Sequence, residues 1–384
     1  MGWRGALYAW ESADTGAEMT PEQVIGPDHQ VIAVLCGKQE QHISADVAYA
    51  VWQYWQATND EEFLLQAGAE ILLETGRFWA SRAGVEPDGK RHIRGVIGPD
   101  EYHENIDDNA YTNIMARWNI RRALEVAALL QKRWPTRWAS LASKLDLEVY
   151  ELTQWMDVAE TIITGMHPET GLFEQFSGYF GLEDINLNDY AGRTVAMDVV
   201  LGHERTQKSQ VVKQPDVVAL LGLLPDEFDT DSAAKNFRYY EPRCSHGSSL
   251  SPAMHGLVAA RLGDTALALH YFHQTSSIDL SDTQAGSAGG IHIAALGGLW
   301  MLSVFGFAGL SLRNDGISID PHVPASWQGL TFRVQWRGRR LKIKIDQAQH
   351  SLGATLEAGE PMTVFVGGKP NNLSSTAATS SISW

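Results

Sequence analysis

The chain of 384 residues carries a formal net charge of −16, with 44% hydrophobic and 20% charged residues. That composition fits a globular chain able to bury one large core and a small one, and excludes an intrinsically disordered chain. The acidic balance argues against a nucleic-acid partner, because phosphate backbones call for basic patches.

Residues 1–16 lack the basic stretch and apolar run of a secretory signal. The only two cysteines, Cys36 and Cys244, cannot form a disulfide framework. They read as packed thiols in a reducing, cytoplasmic setting. Thr58-Asn59-Asp60 reads as a cap ahead of a helix over 61–79, with Phe63, Leu64, Ile71, Leu72 and Phe78 at helical spacing. The stretch 98–103, Gly-Pro-Asp-Glu-Tyr-His, opens the next long helical segment, which follows Asp107-Asp108 through Ile114, Met115, Trp118, Leu124 and Leu129. Further helices are expected at 157–164, 208–222, 229–240, 252–262 and 265–275, the last introduced by Gly263-Asp264, giving roughly nine in all. The uncharged run 289–312 has the length of a membrane span. Its six glycines and its isolation in a polar chain favour a buried helix instead.

Near residue 313 the period changes from helical to alternating. Phe332, Val334 and Trp336, the turn Arg337-Gly338, then Leu341, Ile343 and Ile345 predict a β-hairpin with one buried face. Met362 to Val366 predicts another strand, and the Ser/Thr/Ala-rich end, 371–384, a loosely held tail. The chain thus reads as a mainly helical domain, 1–312, and a small β-sandwich, 313–384.

Glu101 is the first chemical candidate. Cleaving a glycosidic bond needs a proton delivered to the leaving oxygen, and a carboxylic acid on a turn can supply it. The same residue could equally be a helix-entry acid facing the macrodipole. Its neighbours Asp100, His103, Glu104, Asp107 and Asp108 raise a metal site, but their spacing fits neither a calcium loop nor a zinc-helix motif. Ser248 and Ser249 stand ahead of Pro252, where a helix start could bind an anion through unpaired N–H groups. Gly289-Gly290-Ile291-His292 repeats that logic, with His292 as a further donor; an N-cap serine and a buried histidine are the plainer alternatives. Lys213-Gln214 could hold sugar hydroxyls or simply start a helix, and Trp10 beside Glu11 could stack on a sugar ring.

Taken together, these segments resemble glycoside hydrolase family 65, the inverting disaccharide phosphorylases acting on maltose, trehalose, kojibiose or nigerose. The resemblance is carried by Gly5-Ala6 through Trp10-Glu11-Ser12-Ala13, by residues 98–103 with Asn109-Ala110-Tyr111-Thr112-Asn113, and by Lys213-Gln214 with Asp216-Val217-Val218. It continues through Tyr239-Tyr240-Glu241-Pro242, Ser248-Ser249-Leu250-Ser251 and Gly290-Ile291-His292-Ile293-Ala294, in family order over nearly the whole chain.

The resemblance implies an (α/α)6 barrel, incomplete at its N-terminal side, followed by a small C-terminal β-sandwich. It makes Glu101 the general acid, Ser248, Ser249 and His292 the phosphate-binding residues, and Lys213 and Gln214 the holders of the glucosyl unit. Trp10, Glu11 and Glu241 fall near the sugar sites, and the segment 39–48, with His42 and Ser44, borders the acceptor. The implied reaction is phosphorolysis of an α-linked glucose disaccharide to β-glucose 1-phosphate and glucose. It needs no cofactor or metal, since inorganic phosphate is the co-substrate, and homodimers are usual. The family's N-terminal β-sandwich, linker and first barrel helices have no counterpart ahead of the Trp-Glu-Ser segment. An inactive sugar-binding remnant is therefore one rival expectation; the other is a hydrolase of the same fold, which would be expected to offer a carboxylate where Ser248-Ser249 stands.

Overall fold

The computed structural model describes residues 2–25, 29, 31–280 and 290–374, and the backbone alone of 379–383. The chain divides into two compact units. One holds Met1–Trp55, Asp60–Leu220 and Pro242–Ser245; the other holds Gln56–Asn59, Leu221–Glu241 and His246–Trp384.

In the first unit, Asp60 caps the expected helix by accepting from the Phe63 N–H at 2.9 Å. A π-helical turn, Leu64–Gly68, leads into the helix Ala69–Arg82. Its partner, Ala110–Arg133, is capped by Asn109, whose side chain accepts from Thr112 N–H at 2.9 Å. The two helices meet where Gly76 faces Ala123: a Cβ on Gly76 would lie 2.6 Å from the Ala123 Cβ. Small residues on both sides let the backbones approach, with Leu72, Trp79, Ile114, Met115 and Ile120 sealed around them.

Other elements of this unit depart from expectation. Residues 98–103 form turns, and the helix starts only at Ala110. The stretch 157–164 is largely the tail of a helix, Val149–Thr161, fixed by a reciprocal capping box between Glu148 and Glu151. Of the stretch 208–222, only Asp216–Leu223 is helical. Upstream, backbone donors are satisfied sideways: Gln210 N–H bonds Glu183 O at 2.8 Å and Val212 N–H bonds Arg243 O at 3.0 Å. Pro215 also disfavours helical geometry at Gln214. An unexpected helix, Ile43–Thr58, buries Ala45, Ala48, Val51, Trp52 and Trp55 on one stripe.

In the second unit, Asp229 and Asp264 cap the helices Thr230–Tyr240 and Thr265–Ser277, as the sequence suggests. Ser251–Arg261 follows, with Pro252 in its first turn. The apolar run contributes Ile293–Met301 and the π-helical Leu302–Phe307, and no helix among the described residues is long and apolar enough to cross a membrane.

The hairpin forms as read. Gly329–Trp336 pairs with Arg339–Asp346, and Arg337 and Gly338 both take positive φ, 45° and 77°. Two positive φ angles make the mirror-image turn whose twist suits a hairpin. The strands build two four-stranded sheets. One runs Thr379–Ser383, Ser351–Ala358, Arg339–Asp346, Gly329–Trp336; the other runs Lys369–Leu373, Met362–Val366, Gly316–Ile319, Leu310–Leu312. Their inner faces share one core that includes Ile317, Val364, Trp336, Ile343 and Leu352.

The loosely held tail is corrected here. Residues 371–373 belong to a strand paired with Met362–Val366, and Thr379–Ser383 pairs with Ser351–Ala358. Ladder bonds use the backbone, so a polar composition does not forbid them.

Candidate functional site

Glu101 projects from a turn whose foundation is buried. Asp100, 1% exposed, donates its N–H to Asp216 Oδ1 at 2.6 Å. Its Oδ1 accepts from the Lys213 N–H at 2.8 Å, and its Oδ2 from His103 Nδ1 at 2.7 Å and Gln175 Nε2 at 2.9 Å. Asp216 also accepts from Asn109 Nδ2 at 2.6 Å. The cap of the long helix and the turn bearing Glu101 therefore share one carboxylate.

Burial, and next the Asp100 charge, push the Asp216 carboxyl up to about 7. Burial opposes charging of His103, but the Asp100 carboxylate outweighs it and raises that ring above the ordinary histidine value. With Nδ1 facing Asp100 and Nε2 2.8 Å from Ser209 O, the imidazolium can donate at both ends.

Gly98 makes this packing possible, since a Cβ there would lie 2.3 Å from Asp216 Oδ2 and 2.6 Å from Asn109 Nδ2. Gly98→Ala should therefore lower stability by about 1–3 kcal/mol through overpacking, read as a lower urea midpoint at unchanged slope. An unmoved midpoint would mean that the turn yields without strain.

On this base Glu101 is held from two sides. Lys213 Nζ donates to its Oε2 at 3.0 Å and Gln214 Nε2 to its Oε1 at 3.1 Å. Gln214 also donates to Pro99 O, while its buried Oε1 has no hydrogen-bond partner. The Glu101 and Lys213 side chains are 28% and 27% exposed, so an incoming ligand can reach both.

The segment 36–42 packs alongside: Ile97 N–H bonds Gln39 O at 3.1 Å, and Asn105 N–H bonds Gln39 Oε1 at 2.8 Å. The Glu40 carboxylate is buried and accepts no hydrogen bond. His42 gives Nδ1 to Asp46 at 2.7 Å, and Tyr111 donates to the same carboxylate at 2.8 Å. Trp10 meets the His42 ring edge-on at 6.1 Å, and its N–H is held by Glu18 at 2.7 Å. Glu11 is exposed, its backbone N–H also on Glu18. Ser44 is a packing residue whose Oγ accepts from Tyr8 N–H at 3.0 Å.

Four of the metal candidates around Glu101, namely Asp100, His103, Asp107 and Asp108, are engaged with protein partners. Asp100 and His103 pair with each other; Asp108 takes His92 and Arg94, both at 2.8 Å; Asp107 accepts from Gly95 N–H at 3.0 Å.

The second unit carries the remaining candidates. Ser248 and Ser249 are half-buried just before the Ser251–Arg261 helix, whose N-cap is Leu250 with no side-chain cap. The serine caps that would have been the plainer reading are thus absent there; Ser248 Oγ instead accepts from the Leu250 N–H at 3.3 Å. Glu241 accepts from the Tyr271 hydroxyl at 2.8 Å, and that hydroxyl lies 3.2 Å from His246 Nε2. His292 is half-buried, its Nδ1 2.7 Å from Asp279 Oδ1 and its N–H bonded to the same carboxylate. With Nδ1 so engaged, Nε2 is the ring nitrogen left to meet a ligand. Gly289 lies outside the described residues.

Sequence reasoning missed Asp216 as a site residue, along with Cys36, Glu40 and Asp46. Burial reveals Asp216 and Glu40, and three-dimensional proximity the half-buried Cys36 and Asp46; a Pro-Asp pair at 215–216 looks like an ordinary helix start.

Residues 1–301 match the model of the glycosyl hydrolase family 65 central catalytic domain, and residues 310–373 match that family's C-terminal domain. The kojibiose phosphorylase of Caldanaerobacter subterraneus subsp. tengcongensis is 39% identical over 375 residues, 96% of this chain and 48% of that protein. The alpha,alpha-trehalose phosphorylase of Thermoanaerobacter brockii is 34% identical over 367 residues, 95% of this chain and 46% of its own length. A solved structure, a provisionally named kojibiose phosphorylase from human microbiome, matches with a TM-score of 0.83 at 27% identity, covering 91% of this chain and 51% of that one. The chain spans about half the length of the curated relatives it matches.

Proposed function

The chain belongs to glycosyl hydrolase family 65, and from that premise we propose that it carries the chemistry of an inverting phosphorylase of α-linked glucose disaccharides. In this reading residues 1–312 are the catalytic part and 313–384 the accessory β-sandwich of a cytoplasmic, homodimeric enzyme. Two cysteines, too few for a disulfide framework, fit that compartment.

Glu101 delivers a proton to the interglycosidic oxygen while inorganic phosphate attacks the anomeric carbon from the opposite face. The bond to the acceptor glucose breaks, and β-glucose 1-phosphate leaves. Phosphate brings its own nucleophilic oxygen, so no second carboxylate is needed to activate water. Ser248, Ser249 and the Nε2 of His292 hold that phosphate, while Lys213 and Gln214 grip the glucosyl unit. Trp10, Glu11 and Glu241 flank the sugars, and the 39–48 segment borders the acceptor.

The observation that carries the reading is the mounting of Glu101. A reachable carboxyl is braced by Lys213 and Gln214 on a turn locked through Asp100 and Asp216. Such fixed placement is what general acid catalysis demands. The relatives are named for kojibiose, trehalose and 1,2-alpha-glucosylglycerol, which leaves the linkage used here open.

Phosphate handling supplies the test. Ser248→Ala combined with His292→Ala should raise the KM for phosphate at least about tenfold, the loss of one or two charge-assisted bonds, with a smaller change in the disaccharide KM. An unaltered phosphate KM would move the anion site elsewhere.

A further inference from the structure

Beside Glu101 lie two ligating side chains, Cys36 and Glu40, to which the proposed sugar cleavage gives no role. The Cys36 thiol and the carboxylates of Glu40 and Glu101 place one sulfur and two oxygens within 4.8 Å of one another. Glu40 closes the bottom of this corner at 2% exposure, while Cys36 is half-buried and Glu101 28% exposed at the rim. Neither Glu40 oxygen accepts a hydrogen bond. The nearest cationic group, His42 Nε2, stands 3.7 Å from Glu40 Oε2 and itself makes no hydrogen bond. Burial pushes the Glu40 carboxyl above the ordinary carboxylate value, opposed by His42 and the Cys36 thiol, so a cation meeting its charge would relieve that cost.

We infer that Cys36, Glu40 and Glu101 form a site for a thiophilic divalent cation such as Zn2+, with His42 Nε2 at its border.

The chemistry of the donors selects the ion. A thiolate and carboxylates suit zinc, at about 2.3 Å to sulfur and about 2.0–2.2 Å to oxygen, whereas magnesium prefers oxygen and water. Lys213 and Gln214 occupy one lone pair on each Glu101 oxygen, and a carboxylate oxygen offers two.

Burial, joined by Glu40, holds the Cys36 thiol protonated well above the ordinary cysteine value. The ion therefore displaces that proton on binding, forming the metal–sulfur bond as the S–H bond breaks, and the proton goes to solvent. A cation seated here takes the Glu101 carboxylate as a ligand. If Glu101 is the proton donor proposed above, zinc is then a reversible inhibitor; the site itself does not depend on that role.

Calorimetric titration of the chain with ZnCl2, in two buffers of different protonation enthalpy, tests the site. One equivalent should bind with release of about one proton, and it should slow alkylation of Cys36 by iodoacetamide. Cys36→Ser and Glu40→Gln should each weaken binding at least about tenfold, and MgCl2 should give no heat. Unchanged zinc affinity in both variants, or loss of binding only in Cys244→Ser, would overturn the assignment. Turnover is a separate readout. Zinc inhibition absent from Cys36→Ser supports the inhibitory role, and tight binding without inhibition overturns that role while leaving the site in place.

Discussion

Glu101→Gln should reduce turnover of an α-glucobiose with phosphate by about 10²–10⁴-fold, the range for removing a general acid. The substitution is nearly isosteric and keeps an oxygen for Lys213 or Gln214, so folding should survive; an unaltered far-ultraviolet circular dichroism spectrum checks this. The loss should fall mainly on kcat, because the proton is transferred in the transition state rather than on binding. An α-glucosyl fluoride needs little protonation of its leaving group, so its phosphorolysis should suffer much less. A variant that keeps more than a tenth of its turnover on the disaccharide would remove Glu101 from the donor role.

The second large effect concerns stability. Arg77 and Glu151, 5% and 4% exposed, form a two-point ion pair between the Ala69–Arg82 and Val149–Thr161 helices, with bonds of 2.9 and 2.8 Å. The guanidinium also caps two carbonyls, Leu145 O and Asp146 O, both at 2.8 Å. Arg77→Ala leaves the buried Glu151 carboxylate only the half-exposed Arg4 guanidinium at 3.2 Å and the Glu148 N–H at 3.1 Å, uncaps Leu145 O, and should cost about 3 kcal/mol, the low end for breaking a buried pair. Replacing both partners by apolar residues should cost far less, because no unpaired charge then remains.

Burial alone would raise the Glu151 carboxyl, but its hydrogen bonds to Arg77 prevail and hold it below the ordinary carboxylate value. Its stabilising contribution is therefore complete above the unfolded-state value, about 4.3, and disappears as pH falls through the depressed folded value. Urea midpoints of the wild type and Arg77→Ala should differ widely at pH 7 and converge in acid. A gap that stays constant with pH would show that the pair acts through packing alone.

Local signals were legible in the sequence wherever the physics is local. Asp60 and Asp264 cap the helices they are expected to introduce, Asp229 caps the helix expected at 229–240, and Arg337-Gly338 turns the hairpin as its alternating flanks require. Errors arose where distant backbone decides. Residues 209–215 look helical until Val212 is seen bonded to Arg243 and Ser245, and the polar tail looks loose until Ser351–Ala358 offers it a ladder. The Ile43–Thr58 helix hid because its buried stripe mixes small alanines with tryptophans.

The candidate site divides in the same way. Glu101, Lys213 and Gln214 were readable as residue types suited to sugar chemistry, and the fold brings those three together. Asp216, which locks the turn from 116 positions away, and Glu40, buried without a hydrogen bond, were not. Nothing in their immediate neighbours marks them, because long-range burial gives them their character.

The most direct test is nuclear magnetic resonance of the reaction products. The chain, alone and within any longer polypeptide that contains it, is incubated with kojibiose, trehalose or maltose, with and without inorganic phosphate. Phosphorolysis with inversion predicts β-glucose 1-phosphate as the first phosphorylated product from at least one disaccharide, and no glucose release without phosphate. Equal glucose release in both conditions, or an α-linked phosphate as the first product, would contradict it.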